Sequence, residues 1–234
     1  MRRWIIRILL TVLIVGAISL VFRQGLLPAH LTPLPRLDLA NPLPLVVDWQ
    51  LAELRYDRRL CRETIATPGI IKARPVTDRP FKNGCGWKNA VRMSAAGGAS
   101  IGVSRVTCQV AAAFALWVEY VVQPEAERHF GKRVVGISNL GTYSCRNIVG
   151  NRFWQDRRSE HASANAIDIA GFRLDGGERI SVLKHWRGTG KKAAFLRAVH
   201  SGACGYFRVS LSPDFNAAHR DHFHFDRGSL WTCR

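Results

Sequence analysis

Ala166-Ile167-Asp168-Ile169-Ala170-Gly171-Phe172 reads as a β-strand in which apolar and small or polar residues alternate. Ile167 and Ile169 point to one face, while Asp168 shares the opposite face with the small residues Ala166 and Ala170. Small neighbours leave room beside the carboxylate for a metal ion. The last strand-like run, His222-Phe223-His224-Phe225-Asp226, repeats the design: Phe223 and Phe225 occupy one face and His222, His224 and Asp226 the other. Two histidines two apart on a strand point to one site. Upstream, Ser159-Glu160-His161 brings a third histidine seven residues before Asp168. A lone histidine or aspartate on a strand is more often a solvated surface group. The two halves together supply imidazoles and a carboxylate able to hold zinc, the inventory of an open hydrolytic metal site.

Outward from these strands the chain alternates helical and extended patterns. Asp48 to about Arg62 reads as a first helix. A stronger one begins near Ser104 or Thr107, because Val106, Val110, Phe114, Trp117 and Val121 recur at steps of four, four, three and four and stack on one face. Pro124 should kink or end it. A third helix is expected from Lys191 to about Ser201, with Thr189 as a cap and Ala194, Phe195, Ala198 and Val199 facing inward. Further strand-like runs are Val134–Ser138 and Arg179–Leu183. The expected fold class is α+β, helices packed on a small, mostly antiparallel sheet that bears the zinc site.

The totals leave room for one well-buried domain: 234 residues, 47% hydrophobic, six cysteines and a net charge of +17. Four of the cations, Arg2, Arg3, Arg7 and Arg23, lie in the first 24 residues, so +13 remains on the body. Such a field favours polyanions: nucleic acid, an anionic membrane surface or an acidic cell-wall polymer. The arginines and lysines are scattered and form no recognisable nucleic-acid module, so nucleic acid is not an expected partner.

The N-terminus speaks to location. Three arginines in Met1–Arg7 precede an uncharged run from Ile8 to Phe22, marginally long enough with Trp4–Ile6 to cross a bilayer. Arginine ahead of the apolar run keeps that end in the cytoplasm and exports the rest. A cleaved signal peptide is the rival, but no small-x-small cleavage site follows. Residues 1–24 are therefore read as a single-pass membrane anchor. Residues 25–47, with Pro28, Pro33, Pro35, Pro42 and Pro44, are read as a semi-extended linker, and residues 48–234 as the domain in the periplasm. Export suits the cysteines: Cys61, Cys85, Cys108, Cys145, Cys204 and Cys233 form no CxxC pair and fit disulfides in an oxidising compartment, with fifteen pairings open.

Ser159-x-His161-x6-Asp168 followed by Asp221-His222-x-His224 resembles the zinc-site pattern of the lysostaphin, D-Ala-D-Ala metallopeptidase and hedgehog group. Within that group the stretch from about Cys61 to Asp226 resembles the extensin-like C-terminal domain family of bacteria. Tyr143-Ser144-Cys145-Arg146, Ser159-Glu160-His161-Ala162 and His222-Phe223-His224-Phe225-Asp226 carry this likeness. The resemblance implies His161, Asp168 and His224 as three zinc ligands, with the fourth position open. For the proton-accepting role it offers Asp221, three before the last ligand, and His222, two before it. Strand alternation favours His222, whereas a strand beginning only at His222 would let Asp221 turn inward. It also matches Arg146 to an arginine that steadies a substrate carbonyl or carboxylate, His219 to a histidine of the carboxypeptidase relatives, and Ser159 to a residue supporting a ligand. Relatives usually carry glycine three after the first histidine. Ala164 stands there instead, a change that costs about 1 kcal/mol if the backbone needs a positive φ.

The implied activity is zinc-dependent hydrolysis of peptide bonds in peptidoglycan or its stem peptides, by a D-Ala-D-Ala carboxypeptidase/endopeptidase-like enzyme. The alternative, suggested by the hedgehog branch, is a non-catalytic zinc-containing module that binds cell wall.

Overall fold

The computed structural model describes residues 2–24, 26, 31, 32, 34–150 and 152–234; Pro28, His30 and Pro33 lie outside these. Helix α1 (Arg2–Arg23) is apolar, and its Arg3–Val21 stretch, of mean hydropathy 2.5, is not buried by the body. At about 1.5 Å per residue it is long enough to cross a membrane or to serve as a signal sequence.

The packed body begins earlier than residue 48. Leu37 and Leu39 are buried with Val47, Leu51 and Leu54, and the Tyr120 hydroxyl donates to the carbonyls of Leu39 and Ala40 at 2.9 and 2.6 Å. The C-terminal part of the stretch expected to be linker through 47 is therefore part of the core. Prolines prevent a helix there, but a chain without one still buries Leu37 and Leu39, while Leu43 and Leu45 stay exposed. The single helix expected over 48–62 is two: α2 (Val47–Glu53) and α3 (Arg58–Ile65). Asp57 separates them in an extended conformation, and its carboxylate accepts the Leu60 N–H at 2.9 Å to restart the second.

Five strands follow that the sequence pattern did not reveal: β1 (Ile71–Pro75), β2 (Arg79–Lys82), β3 (Cys85–Trp87), β4 (Ala90–Ala96) and β5 (Ala99–Thr107). In β5, Ala99, Ile101 and Val103 are buried while Ser100, Gly102 and Ser104 are exposed, a period of two written in small residues with weak strand propensity. Helix α4 (Cys108–Trp117) follows at once, so Val106 belongs to the strand and not to the helix. Pro124 does not end the helix. A π-helical turn over Val118–Val122 carries α4 into α5 (Gln123–Phe130), with the Gln123 N–H reaching the Val118 carbonyl, and Pro124 falls in the first turn of α5 where its missing N–H is not needed.

The rest of the chain adds β6 (Val134–Gly141), β7 (Ala166–Leu174), β8 (Arg179–Ser181), α6 (Val182–His185), α7 (Lys191–Ala203), β9 (Val209–Leu211), β10 (Phe223–Asp226) and β11 (Thr232–Cys233). Thr189 does not cap α7, whose first turn starts from Gly190 without a side-chain bond. The strand expected through Leu183 stops at Ser181, whose hydroxyl accepts the Lys184 N–H and begins α6.

The main sheet has nine strands in the order β1-β4-β5-β6-β7-β10-β9-β11, with β8 also paired to β7. It is mixed and larger than the small sheet expected: β5–β6 and β9–β11 are parallel, and the other pairings are antiparallel. Strands β2 and β3 form a separate hairpin. One face of the sheet buries Ile167, Ile169, Phe172, Phe223 and Phe225 against Phe114 and Trp117 of α4 and Phe195 and Val199 of α7. The Trp117 indole is satisfied inside this core by the Val199 carbonyl at 2.8 Å. Deleting one such ring costs about 3–5 kcal/mol.

Strand β7 does not alternate regularly along its length. Its register against β6 shifts between Ser138 and Asn139, where Gly171 and Ile169 are the partners, so Ala170 is the extra residue of a bulge. The shift lets Ile167 and Ile169 before the bulge, and Phe172 and Leu174 after it, all reach the helical side. The six cysteines pair as Cys61–Cys108, Cys85–Cys145 and Cys204–Cys233.

Candidate metal centre

The centre lies on the sheet face opposite the helices, at the β7–β10 ladder. His161 comes from a single 3-10 turn, Glu160–Ser163, whose start is capped by Ser159: the Ser159 hydroxyl accepts the His161 N–H at 3.3 Å. The turn closes at Ala164, which is fully buried and left-handed at φ 54° and ψ 26°. The glycine-like position thus does require a positive φ, and alanine holds it.

Asn165 then fixes the corner into β7. Its side-chain carbonyl accepts from Thr107 Oγ1 at 2.8 Å and from Gln109 Nε2 at 2.7 Å, and its amide donates to Glu160 Oε2 at 2.7 Å. A turn capped at one end and clamped at the other folds His161 back over Asp168. From the neighbouring strand, His224 is the direct register partner of Asp168.

Three donor atoms converge as a result. His161 Nε2 lies 3.1 Å from Asp168 Oδ1 and 3.1 Å from His224 Nδ1, and the last two are 3.0 Å apart. All three residues are buried, and they form the group among the described residues able to hold a metal. A tetrahedral ion with bonds of about 2.0–2.1 Å has donor–donor edges of about 3.3 Å, so the triangle is within a few tenths of an ångström of that size. Two imidazoles and one carboxylate are borderline-soft and hard donors of the kind that suits zinc.

The surroundings prepare His224 for such a role. Its Nε2 is held by Asp226 Oδ2 at 3.0 Å, and Asp226 Oδ1 accepts the Gly228 N–H at 2.8 Å, which leaves Nδ1 facing His161 and Asp168. Without a cation in the triangle a proton serves instead. Burial opposes a charged His224, but its bonds to Asp168 and Asp226 outweigh burial and push its pKa up to about 10. For Asp168, the bonds from His161 and His224 likewise override burial and hold the carboxyl well below the usual carboxylate range. Glu160 is shifted upward by burial and by the nearby Asp226. It leaves no space for a side chain at residue 228, where a Cβ would stand 2.5 Å from Glu160 Oε1.

Asp221 and His222 are not rivals for one place. Strand β10 starts at Phe223, and just before it Asp221 Oδ1 bonds His222 Nδ1 at 2.8 Å while His222 Nε2 turns toward Asp168 Oδ1 at 3.6 Å. His219 joins the same cluster, with its ring 5.3 Å from that of His222 and 5.7 Å from that of His224, and its Nδ1 2.7 Å from Asn216 Oδ1. Burial and the neighbouring His224 and His222 push its pKa down to about 4. Arg146 borders the cleft, with its guanidinium donating to the Asn147 carbonyl at 3.3 Å.

Arg146, His219, His222 and His224 line a cleft of about 360 Å³, whose walls also include Trp154, Phe215 and Leu230. Glu160, Asn165 and Asp226 support the site without having been assigned a role from sequence. The one signal was Asp226, two residues after His224 on the same strand face; Glu160 and Asn165 act through a corner that only the fold creates.

Neither the curated proteins nor the solved structures contain a match to this chain. The profile of the family described as extensin-like protein C-terminus matches residues 59–234, which takes in every residue of the metal centre and its cleft. By that match over most of its length, the chain belongs to the extensin-like C-terminal family.

Proposed function

We propose that this protein is a zinc-dependent peptidase or amidohydrolase that acts on peptide bonds of cell-wall peptidoglycan from a membrane-anchored position outside the cytoplasm. The observation that carries the reading is the triangle of His161 Nε2, Asp168 Oδ1 and His224 Nδ1, with edges of 3.0–3.1 Å, whose His224 also lines a cleft. Zinc held by these three residues would supply Lewis acidity toward a carbonyl oxygen and toward water.

The chain's own residues supply the rest. Asp221 orients His222 through Nδ1, so that Nε2 is the basic atom on the cleft side. In the reaction His222 Nε2 takes a proton from water as its oxygen bonds to the amide carbon. The same proton passes to the nitrogen as the C–N bond breaks, and a carboxylate and an amine result. Arg146 offers a planar set of donors to a substrate carbonyl or carboxylate in the cleft. His219, kept neutral by its surroundings near pH 7, can accept or donate a hydrogen bond without adding charge.

The location fits the α1 helix, the arginines in its first two turns and the three disulfides, which belong in an oxidising compartment. The test is to incubate the purified chain with peptidoglycan fragments, with and without a chelator, and to follow products by mass spectrometry. Chelator-sensitive release of new amine ends is expected. A varied panel left intact would favour the wall-binding module over the enzyme.

A further inference from the structure

The sheet face that carries the metal centre is left uncovered well beyond it. There a groove of about 510 Å³ crosses β4 to β8, floored by Ser94, Ser100, Gly136 and Ser138 and bordered by Arg173 and Arg179. Arg173 and Arg179 are direct register partners in the β7–β8 ladder. Like charges placed opposite each other in a ladder destabilise it, so the arrangement costs stability unless an anion lies between them.

No aspartate or glutamate among the described residues lines the groove. The adjacent Glu178 is turned away to Lys192 at 3.0 Å. The Arg173 side chain lies down along the groove floor: a Cβ on Gly136 would stand 2.9 Å from Arg173 Nη2 and 3.3 Å from Ser100 Oγ. The Arg173 guanidinium therefore lies over a floor whose Ser94 and Ser100 hydroxyls already donate to the Lys72 and Val135 carbonyls, and no carboxylate among the described residues lines the groove to answer the two charges.

We propose that this groove binds an extended, carboxylate-bearing polymer strand and leads it to the metal centre, with Arg173 and Arg179 holding a carboxylate at its far end. The occupant is chosen by charge complementarity and by nearness along β7 to the metal centre. Ala170 and Gly171 line the groove only two and three residues along β7 from Asp168. Arg173 lies roughly 15 Å from Asp168 at about 3.4 Å per residue, so a small anion cannot span both while a polymer can. A nucleic-acid strand is disfavoured because the groove offers no exposed aromatic platform on which bases could stack. Naming peptidoglycan as the polymer rests on the function proposed above; the groove's preference for carboxylates does not.

The experiment measures binding of the full chain in detergent to fluorescent, soluble, uncross-linked peptidoglycan strands by anisotropy, without added metal. The same strands with amidated carboxyls and a single-stranded DNA oligonucleotide serve as comparison probes. The double variant Arg173→Gln/Arg179→Gln should weaken binding of the native strands about tenfold, as should amidation of the strands. An equal charge change elsewhere, Arg58→Gln/Arg59→Gln, should leave binding unchanged.

Equal affinity of wild type and the groove variant would overturn the proposal, as would equal losses in the two arginine pairs or tighter binding of the oligonucleotide. Strand binding that depends on Arg173 and Arg179, together with no chelator-sensitive cleavage, would sink the hydrolase reading and leave the groove standing. Cleavage of short peptides with no groove dependence would do the reverse.

Discussion

Asp168 and His224 stand directly opposite each other in the β7–β10 ladder, with Asp168 Oδ1 3.0 Å from His224 Nδ1, although 55 residues lie between them in the chain. Antiparallel pairing at this register makes the contact, and burial of Ile167, Ile169, Phe223 and Phe225 on the other face fixes the register. A slip of β10 by one residue would send His224 into the core and turn Phe223 and Phe225 out of it.

Asp226 holds the far nitrogen of His224, so its loss should be felt at the metal. Asp226→Asn is expected to weaken zinc affinity by about 10–100-fold with little change in the circular dichroism spectrum, and His224→Ala to abolish binding. Competition against a chromophoric chelator measures both; unchanged affinity in Asp226→Asn would show that the carboxylate does not tune the ligand.

His222 and Asp221 should separate from the ligands in kinetic tests. His222→Ala should lower kcat about 10²–10⁴-fold while zinc content stays near that of the wild type, and Asp221→Asn should act in the same direction but less strongly. Metal analysis alongside single-turnover assays makes the comparison. Loss of zinc from His222→Ala would recast His222 as a ligand.

His200 ties stability to pH away from the metal centre. It is buried beneath Trp186, Phe223 and Phe225, with Nε2 3.1 Å from Ser210 Oγ, and burial pushes its pKa down to about 4 despite the opposing charge of Asp214. The unfolded chain takes up this proton near pH 6.5 and the folded chain only near 4. The contribution is therefore whole above about pH 6.5 and is lost as pH falls toward 4, about 2 kcal/mol by pH 5. Urea unfolding at pH 7 and 5 should show a smaller drop for His200→Gln than for the wild type; equal drops would assign the acid sensitivity elsewhere.

Ala164 sets two costs against each other. Glycine would relieve about 1–2 kcal/mol of left-handed strain, but it removes a buried methyl worth about 0.8 kcal/mol and adds chain entropy of about 0.5–1 kcal/mol. Ala164→Gly should thus stay within about 1 kcal/mol of the wild type, whereas Ala164→Val, branched at a positive φ and without space, should lose more than about 2 kcal/mol. Denaturant midpoints decide it, and a valine variant as stable as the wild type would contradict the strain argument.

A fragment starting at residue 59 should fold poorly. Asp48 pairs with two buried arginines, Arg208 at 3.0 Å and Arg227 at 2.7 Å, and Arg227 also bonds the Asp48 carbonyl at 2.9 Å. Taking this carboxylate away from two buried arginines costs about 3–5 kcal/mol, before the loss of Leu37, Leu39, Leu51 and Leu54 from the core. Thermal unfolding of fragments beginning at 35 and 59 tests this; equal melting temperatures would remove the N-terminal segment from the domain.

The sequence by itself determined which strand faces Asp168 and His224, residue types able to ligate a metal, occupy. A period of two in Ile167–Ile169 and Phe223–Phe225 is local, set by the pleat, and it put Asp168 and His224 on open faces before any tertiary contact was known. The apolar N-terminal helix and the helix over Lys191–Ala203 were legible for the same reason.

Only the tertiary structure decided the rest. Strands β1 and β2 carry lysine, arginine and proline, β3 is three residues long, and alanine, serine and glycine dilute the apolar positions of β4 and β5, so these runs become strands only when paired; the π-turn that admits Pro124 answers to packing and not to propensity. The division of labour between Asp221 and His222 was open in sequence because adjacent residues have no fixed facing at a strand's first position. The fold settled their contact by starting β10 at Phe223 and bonding one to the other. A metal triangle requires distances between residues far apart in the chain, and those distances exist only once a buried face has fixed one register and excluded the others.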